Sequence, residues 1–156
     1  MTQISIFIPA YNAQDHITGV IDRIPAELWG SLLSVWIIDD GSQDNTWDVI
    51  EALAQKNQKI KPVRFAQNRG YGAVVKQGLL LCSQENAQMA ACIHSDGQYP
   101  PEFIPQFAHK MQEEGYDILQ GSRIASGGAL AGGMPFYRFA ANRTGTFLEN
   151  SVLGLK

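Results

Sequence analysis

Asp39-Asp40, followed by Gly41-Ser42, is the first group of residues in this chain with chemistry to offer. A carboxylate there accepts hydrogen bonds from a ribose hydroxyl or a nucleobase N–H, or it caps the turn that Gly41 and Ser42 begin. Adjacent residues on a strand point to opposite faces, so at most one of the two aims directly into a site. The second group is His94-Ser95-Asp96, whose i, i+2 spacing puts His94 and Asp96 on one side of an extended segment. Asp96 suits a hard dication that also bridges diphosphate oxygens, with water completing the shell. Such a cation, Mg2+ or Mn2+, stabilises a diphosphate leaving group as a Lewis acid. His94 is a poor ligand for magnesium and an acceptable one for manganese, so Asp96 is assigned as the metal ligand, with His94 orienting a neighbour.

Two further groups carry less information on their own. Asn68-Arg69-Gly70-Tyr71-Gly72 opens a helical pattern, where glycines admit close backbone approach and a helix N-terminus favours anions. It is not the dinucleotide fingerprint, because Val75 stands where a third glycine is needed; a nicotinamide-dependent oxidoreductase is disfavoured accordingly. In Gly121-Ser122-Arg123 the guanidinium either forks onto phosphate oxygens or pairs with a carboxylate of the site.

These groups share a position relative to the elements that must carry them. Apolar runs predict strands at 3–8, 34–39, 61–65, 89–94 and 117–121, and helical patterns fall at 14–25, 44–56, 73–84, 102–114 and 136–153. Each polar cluster follows a strand. Alternation of this kind predicts an α/β protein with a mostly parallel sheet, and in open sheets ligands bind outside the carboxyl ends of the strands.

The bulk composition narrows the function classes. With 156 residues, 45% apolar and 17% charged, the chain suits one soluble domain, and a net charge of −3 argues against nucleic acid as partner. Cys82 and Cys92 have neither disulfide-framework nor metal spacing, and no apolar run reaches membrane-span length. Cytoplasmic residence is expected, with a peripheral site on the cytoplasmic face of the membrane as its refinement. Beyond Arg123 the only acid is Glu149, against Arg138, Arg143 and Lys156, a local cationic bias suited to an anionic partner.

Taken in order, Ile8-Pro9-Ala10-Tyr11-Asn12, Ile38-Asp39-Asp40-Gly41-Ser42, Asn68-Arg69-Gly70-Tyr71-Gly72, Asp96-Gly97-Gln98, Pro101-Glu102 and Gly121-Ser122-Arg123 resemble the family 2 glycosyltransferases of the GT-A fold. The polyprenyl-phosphate, dolichol-phosphate mannose synthase-like members are closest in look. The resemblance implies a GT-A (Rossmann-like) three-layer α/β/α core, a nucleotide-diphosphate-sugar donor, a divalent cation and an inverting hexosyl transfer. It implies that Pro9, Ala10, Tyr11, Asn12, Asp39, Asp40, Asn68, Gly70 and Gln98 hold the donor, that Asp96 holds the metal, and that Arg123 and Arg138 sit by the donor and acceptor phosphates. In this chain His94 replaces the usual first acid of the metal motif, and Ala13 replaces a glutamate that often follows Tyr-Asn. The expected division is a nucleotide-sugar-binding core at 1–123 and a flexible Gly/Ala loop with an amphipathic acceptor-side helix at 124–156, the family's later acceptor segment lying beyond Lys156.

The charge asymmetry bears on the acceptor. A sugar hydroxyl must lose a proton as it attacks and so needs a positioned base, and past Arg123 only Glu149 offers one. A phosphomonoester is largely anionic at pH 7, with a second pKa near ~6, and needs only the cationic positioning that Arg138 and Arg143 supply. A polyprenyl phosphate is the expected acceptor; a saccharide hydroxyl and a non-catalytic nucleotide-sugar-binding remnant are the alternatives. Phe136, Phe139, Phe147 and Val152 recur at helical spacing, which fits either a helix docked by its aromatic face or one lying at a lipid interface.

Overall fold

The computed structural model describes residues 2–121 and 135–154, which fall into two compact units, Met1–Gly115 and Tyr116–Lys156. The first unit is built on four parallel strands, β1 (Ile4–Ala10), β2 (Leu32–Asp39), β3 (Ile60–Arg64) and β4 (Met89–Cys92), in the order β3-β2-β1-β4. Four helices connect or follow them: α1 (Ile17–Asp22), α2 (Thr46–Lys56), α3 (Tyr71–Gln84) and α4 (Ile104–Glu114).

The period-two pattern of the strands explains why both faces are covered. Ile4, Ile6, Ile8 and Ala10 of β1 point into one apolar cluster with Ile17 and Val20 of α1 and Ile50 and Leu53 of α2. Phe7 points the other way, joining Ile38, Phe65, and Val74 and Cys82 of α3. Strands buried on both sides read as nearly continuous apolar runs, as β1 does. Gly78 lets α3 approach β1 closely, since a Cβ there would fall 2.4 Å from the Phe7 ring. Pro62 is tolerated because β3 is an edge strand, bonded on one side only.

One polar group interrupts the α3 face. Ser5 and Ser34, paired across β1 and β2 and fully buried, both donate their hydroxyls to Glu85 Oε1, which also accepts from Trp36 Nε1 at 3.0 Å. The carboxylate at the end of α3 thereby satisfies two hydroxyls that would otherwise be stranded in the core.

The chain winds β1, β2, β3 outward on one side of β1 and then crosses back to place β4 on the other. That reversal opens a crevice at the carboxyl ends of β1 and β4, the place where doubly wound sheets bind ligands. The expected α/β architecture holds, with corrections in its details. The sequence pattern places a fifth strand at 117–121, but among the described residues this segment is not a strand, and Ile118 is 85% exposed. Its apolar pair Ile118-Leu119 is too short a run to specify pairing by itself. The first helix, expected over 14–25, is six residues long. Pro25 disfavours helical geometry at Ile24, and the amides of Ala13 and Gln14 are bound by side chains from another loop.

The second unit contains α5 (Phe136–Leu153), none of whose residues is buried. Phe136, Tyr137, Phe147, Leu148 and Val152 are exposed. Arg138 lies over the Tyr137 ring and Arg143 over the Phe139 ring, at 5.9 and 5.8 Å. No helix among the described residues is long and apolar enough to cross a membrane.

Candidate functional site

The loops that follow β1 and β2 are tied to each other by side-chain to backbone hydrogen bonds. Asn12, with φ +49°, donates its amide to Ser42 Oγ at 2.9 Å, and its Oδ1 accepts from the Gln43 amide at 3.0 Å. Ala13 N–H donates to Thr46 Oγ1 at 2.7 Å, and Asn45 N–H donates to Gln14 Oε1 at 2.8 Å. Asparagine is one of the few residues that enters the left-handed region cheaply, which accounts for its place at the turn. Pro9 and Ala10 sit within β1 beside Ile38 and Asp39, while Tyr11 reaches solvent at the rim.

Asp39 and Asp40 divide the labour. Asp39 is fully buried; its Oδ1 accepts from the Ser42 amide at 3.0 Å and from the Ser42 hydroxyl. Its Oδ2 has Arg64 Nε at 3.2 Å as an ion-pair partner, but no hydrogen bond is aligned on it. Asp40 is spent on the next loop, accepting from the Arg69 amide at 2.7 Å and the Gly70 amide at 2.9 Å. Asn68 Oδ1 shares the Gly70 amide at 3.1 Å. Gly70, at φ +85°, turns the chain into α3. Gly41 is required between the aspartates and this loop, because at φ +71° a Cβ would stand 2.7 Å from the Gln67 carbonyl carbon.

After β4 the chain makes a tight turn in which Asp96 Oδ1 accepts from the Gln98 amide at 2.9 Å, with Gly97 at φ +72°. Arg23, just after α1, anchors this turn, donating to the Gly97 carbonyl at 3.0 Å and gripping Glu102 with Nε and Nη2 at 2.7 and 3.1 Å. That fork holds the Glu102 carboxyl below its usual range. His94 stacks on Tyr99 at 4.2 Å between ring centroids, and Tyr71 Oη lies 2.9 Å from His94 Nε2. Burial pushes the Tyr71 phenol up to about 12 and lowers His94, an effect the neighbouring Asp96 opposes.

Of the clusters read from the sequence, those at 9–12, 39–42, 68–72 and 94–98 thus follow β1, β2, β3 and β4 at the carboxyl ends of the strands. A surface concavity of about 450 Å3 lies at the opposite end of β4, and its lining residues, among them Leu79, Cys82 and Ala90, include no Asp, Glu, His, Lys or Arg. Arg123 lies outside the described residues, and Arg138 belongs to α5 of the second unit.

The family profile of glycosyl transferase family 2 matches residues 5–156. The chain belongs to this family. It is 30% identical over 136 residues to the dolichol-phosphate mannosyltransferase of Pyrococcus furiosus, covering 87% of this chain and 37% of that protein. It is 32% identical over 120 residues to the undecaprenyl-phosphate 4-deoxy-4-formamido-L-arabinose transferase of Yersinia pestis, covering 75% and 36%. The chain therefore spans little more than a third of the length of these relatives. Similar solved structures are S. aureus TarS residues 1–349 in complex with UDP-GlcNAc, at TM-score 0.58 and 22% identity over 74% of this chain and 33% of that one. The mannosyltransferase PcManGT of Pyrobaculum calidifontis, in complex with GDP-Man and Mn2+, gives TM-score 0.54 and 19% identity over 69% and 31%. These likenesses establish a GT-A-like fold for the family 2 chain.

Sequence reasoning missed two residues and one contact of this family 2 site. Arg23 pairs with Glu102 across 79 positions, and Arg64 pairs with Asp39 across strands; neither carries a local signal. Tyr71 was legible as part of the glycine-rich stretch, but its bond to His94 was not. For a dication, the described residues contain no group of three His, Cys, Asp or Glu ligands. Asp96 keeps Oδ2 without a partner among the described residues, so the donor set fits a cation that brings diphosphate and water as the rest of its shell.

Proposed function

We propose that this chain is the donor-binding part of a glycosyltransferase that moves a sugar from a nucleoside-diphosphate sugar to a polyprenyl phosphate, with inversion at the anomeric carbon. The observation that supports the reading is Asp39 Oδ2, a buried carboxylate oxygen at the carboxyl end of β2 that has Arg64 as its ion-pair partner but no aligned hydrogen bond among the described residues. Such an oxygen is costly until a donor reaches it, and a nucleobase N–H or ribose hydroxyl supplies one. Pro9, Ala10, Tyr11 and Asn12 form the adjoining wall, and Asp40 holds the third loop in place through the Arg69 and Gly70 amides, the latter shared with Asn68 Oδ1.

Asp96 would hold a Mg2+ or Mn2+ bound to the diphosphate, where the cation supplies charge neutralisation for the departing group. Gln98 closes the turn that presents Asp96. Arg123 and Arg138 would position phosphates by charge-assisted hydrogen bonds. In the reaction an acceptor phosphate oxygen bonds to the anomeric carbon as the bond from that carbon to the diphosphate breaks. The acceptor oxygen is already anionic at neutral pH, so this step asks no residue of the chain for proton abstraction. The names of the two curated relatives, both transferases of polyprenol-linked chemistry, support this acceptor class over a saccharide hydroxyl. A seat at the membrane surface on the cytoplasmic side follows from that acceptor and from the exposed aromatic and arginine side chains of α5.

Calorimetry with UDP- and GDP-linked sugars, with and without Mn2+, tests the donor half, and transfer to a short polyprenyl phosphate tests the acceptor half. Metal-enhanced binding of one donor with transfer is the expected result. Binding without transfer favours the binding-only reading, and absence of binding to any nucleotide sugar ends the proposal.

A further inference from the structure

Among the described residues of the first unit, α3 is the one α-helix on its side of the sheet, since α1, α2 and α4 pack into the apolar cluster on the other face. Its stripe at Val74, Gly78 and Cys82 is buried against the strands. Helical spacing brings Ala73, Lys76, Leu80 and Ser83 together on the opposite side, and Leu79 and Leu80 are 50% and 51% exposed. No acid lies on that outer face, whereas α2 and α4 expose Asp48, Glu51 and Glu113. A surface helix normally sets a charged outer face against its apolar stripe, and one that is apolar on both sides is covered by a partner.

The charges around this face have one sign. Arg69 precedes α3, Lys76 stands on its outer side, and both line a groove of about 310 Å3 with Leu80. Lys61 of β3 lies on the same side of the sheet, because its register partner Trp36 packs with the α3 cluster. All three cations are exposed. Glu85, at the end of α3, is turned into the sheet by Ser5, Ser34 and Trp36 and so does not offset them. The chain as a whole carries a net charge of −3, which makes the cationic face a local feature.

We infer that the outer face of α3 is the surface by which the first unit lies on an anionic lipid bilayer, with Leu79 and Leu80 at the boundary of headgroups and acyl chains and Lys61, Arg69 and Lys76 against lipid phosphates. Apolar side chains flanked by cations suit a helix lying in that boundary, and clustered Lys and Arg draw it to anionic lipid. A second copy of the chain is a poorer occupant, because a two-fold contact sets the same cationic patch against itself. Gly70 turns the chain into α3 after the third strand, so the face begins at the carboxyl ends of the strands. A phosphate carried by a membrane lipid then meets the protein at the end of the sheet where the donor residues gather. The inference rests on the polyprenyl-phosphate reading for its purpose, while the bilayer contact itself needs no nucleotide.

Flotation of the full chain with phosphatidylcholine vesicles, with and without phosphatidylglycerol, tests the contact. Binding is expected only where phosphatidylglycerol is present, and it should weaken as salt rises. Lys76→Glu should lower that binding at least about fivefold, and the double variant Leu79→Ser, Leu80→Ser should lower it comparably. Lys110→Glu makes the same charge change on the exposed side of α4 and should leave binding as in the parent. No binding to anionic vesicles overturns the inference, as does binding that both α3 variants leave intact. A dimer in solution that Leu80→Ser dissolves gives the face to a second copy and overturns it as well. Calorimetry with nucleotide sugars in the absence of vesicles should be alike for parent and variants. Loss of the donor reading would show in that calorimetry, and loss of the bilayer contact in the flotation.

Discussion

The loops after β1, β2 and β3 and the turn after β4 face the same crevice but are held by different physics. The first three are bound to one another by buried or half-buried carboxylates and hydroxyls: Ser42 and Thr46 hold the β1 loop, and Asp40 holds the β3 loop. The turn after β4 is held by Arg23 and Glu102, whose side chains are 40% and 46% exposed, and by the single bond within Asp96-Gly97-Gln98. Buried acceptors are expensive to unsatisfy, whereas exposed ion pairs contribute little. On the proposed reading, the nucleoside wall is the more firmly tied side and the diphosphate side the less firmly tied one. Preorganisation on one side and compliance on the other suit a site that binds a rigid base and a metal-bridged diphosphate.

Substitutions on the two sides should separate accordingly. The largest effect is expected at Asp40, where Asp40→Ala strands the Arg69 and Gly70 amides and costs about 2–4 kcal/mol. Urea unfolding should show it as a lowered midpoint with unchanged slope, together with loss of nucleotide affinity; an unchanged midpoint would remove Asp40 from its clamping role.

Gly41→Ala comes next, since its Cβ would collide with the Gln67–Asn68 backbone at a positive φ. A loss of about 1–3 kcal/mol in the same assay is expected. Tolerance of alanine would mean that the two loops do not approach as closely as described.

On the compliant side, Asp96→Asn should leave unfolding within about 0.5 kcal/mol of the parent. Metal-enhanced donor binding should fall at least about tenfold, equal to about 1.4 kcal/mol. Retention of the full metal enhancement would assign the cation elsewhere.

Arg23→Ala should have the smallest effect on stability, at most about 1 kcal/mol and weaker in high salt. Because Arg23 depresses the Glu102 pKa in the folded state, this contribution is present above the ordinary carboxylate range. It is lost as pH falls through the depressed value, below the ordinary carboxylate range. A difference between parent and variant that persists unchanged at lower pH would show that the pair is not its source.

Much of this arrangement is legible in the chain. The runs at Ile4-Ser5-Ile6-Phe7-Ile8 and Val35-Trp36-Ile37-Ile38 read as strands buried on both faces, and the polar groups behind them read as one ligand site. Asp39 and Asp40 were expected to diverge because successive side chains alternate, and they do. Which of the two keeps an oxygen without an aligned hydrogen bond was not legible, because Asp40's partners lie 29 and 30 positions away. Helix α1 reads too long for the same reason: Thr46 and Asp44 take amides that local periodicity would assign to a helix.

By itself, the order of apolar runs and turn residues determined the α/β layering and the end of the sheet where the polar clusters gather. Those properties depend on period and on short-range backbone preference, which a linear pattern carries. Tertiary structure alone decided the division between Asp39 and Asp40, the pairing of Arg23 with Glu102, and the meeting of Tyr71 with His94. Each depends on a hydrogen bond between residues at least 23 positions apart or on its absence. Short-range order cannot encode such contacts, because only closure of the sheet brings the partners within 3 Å or so of each other.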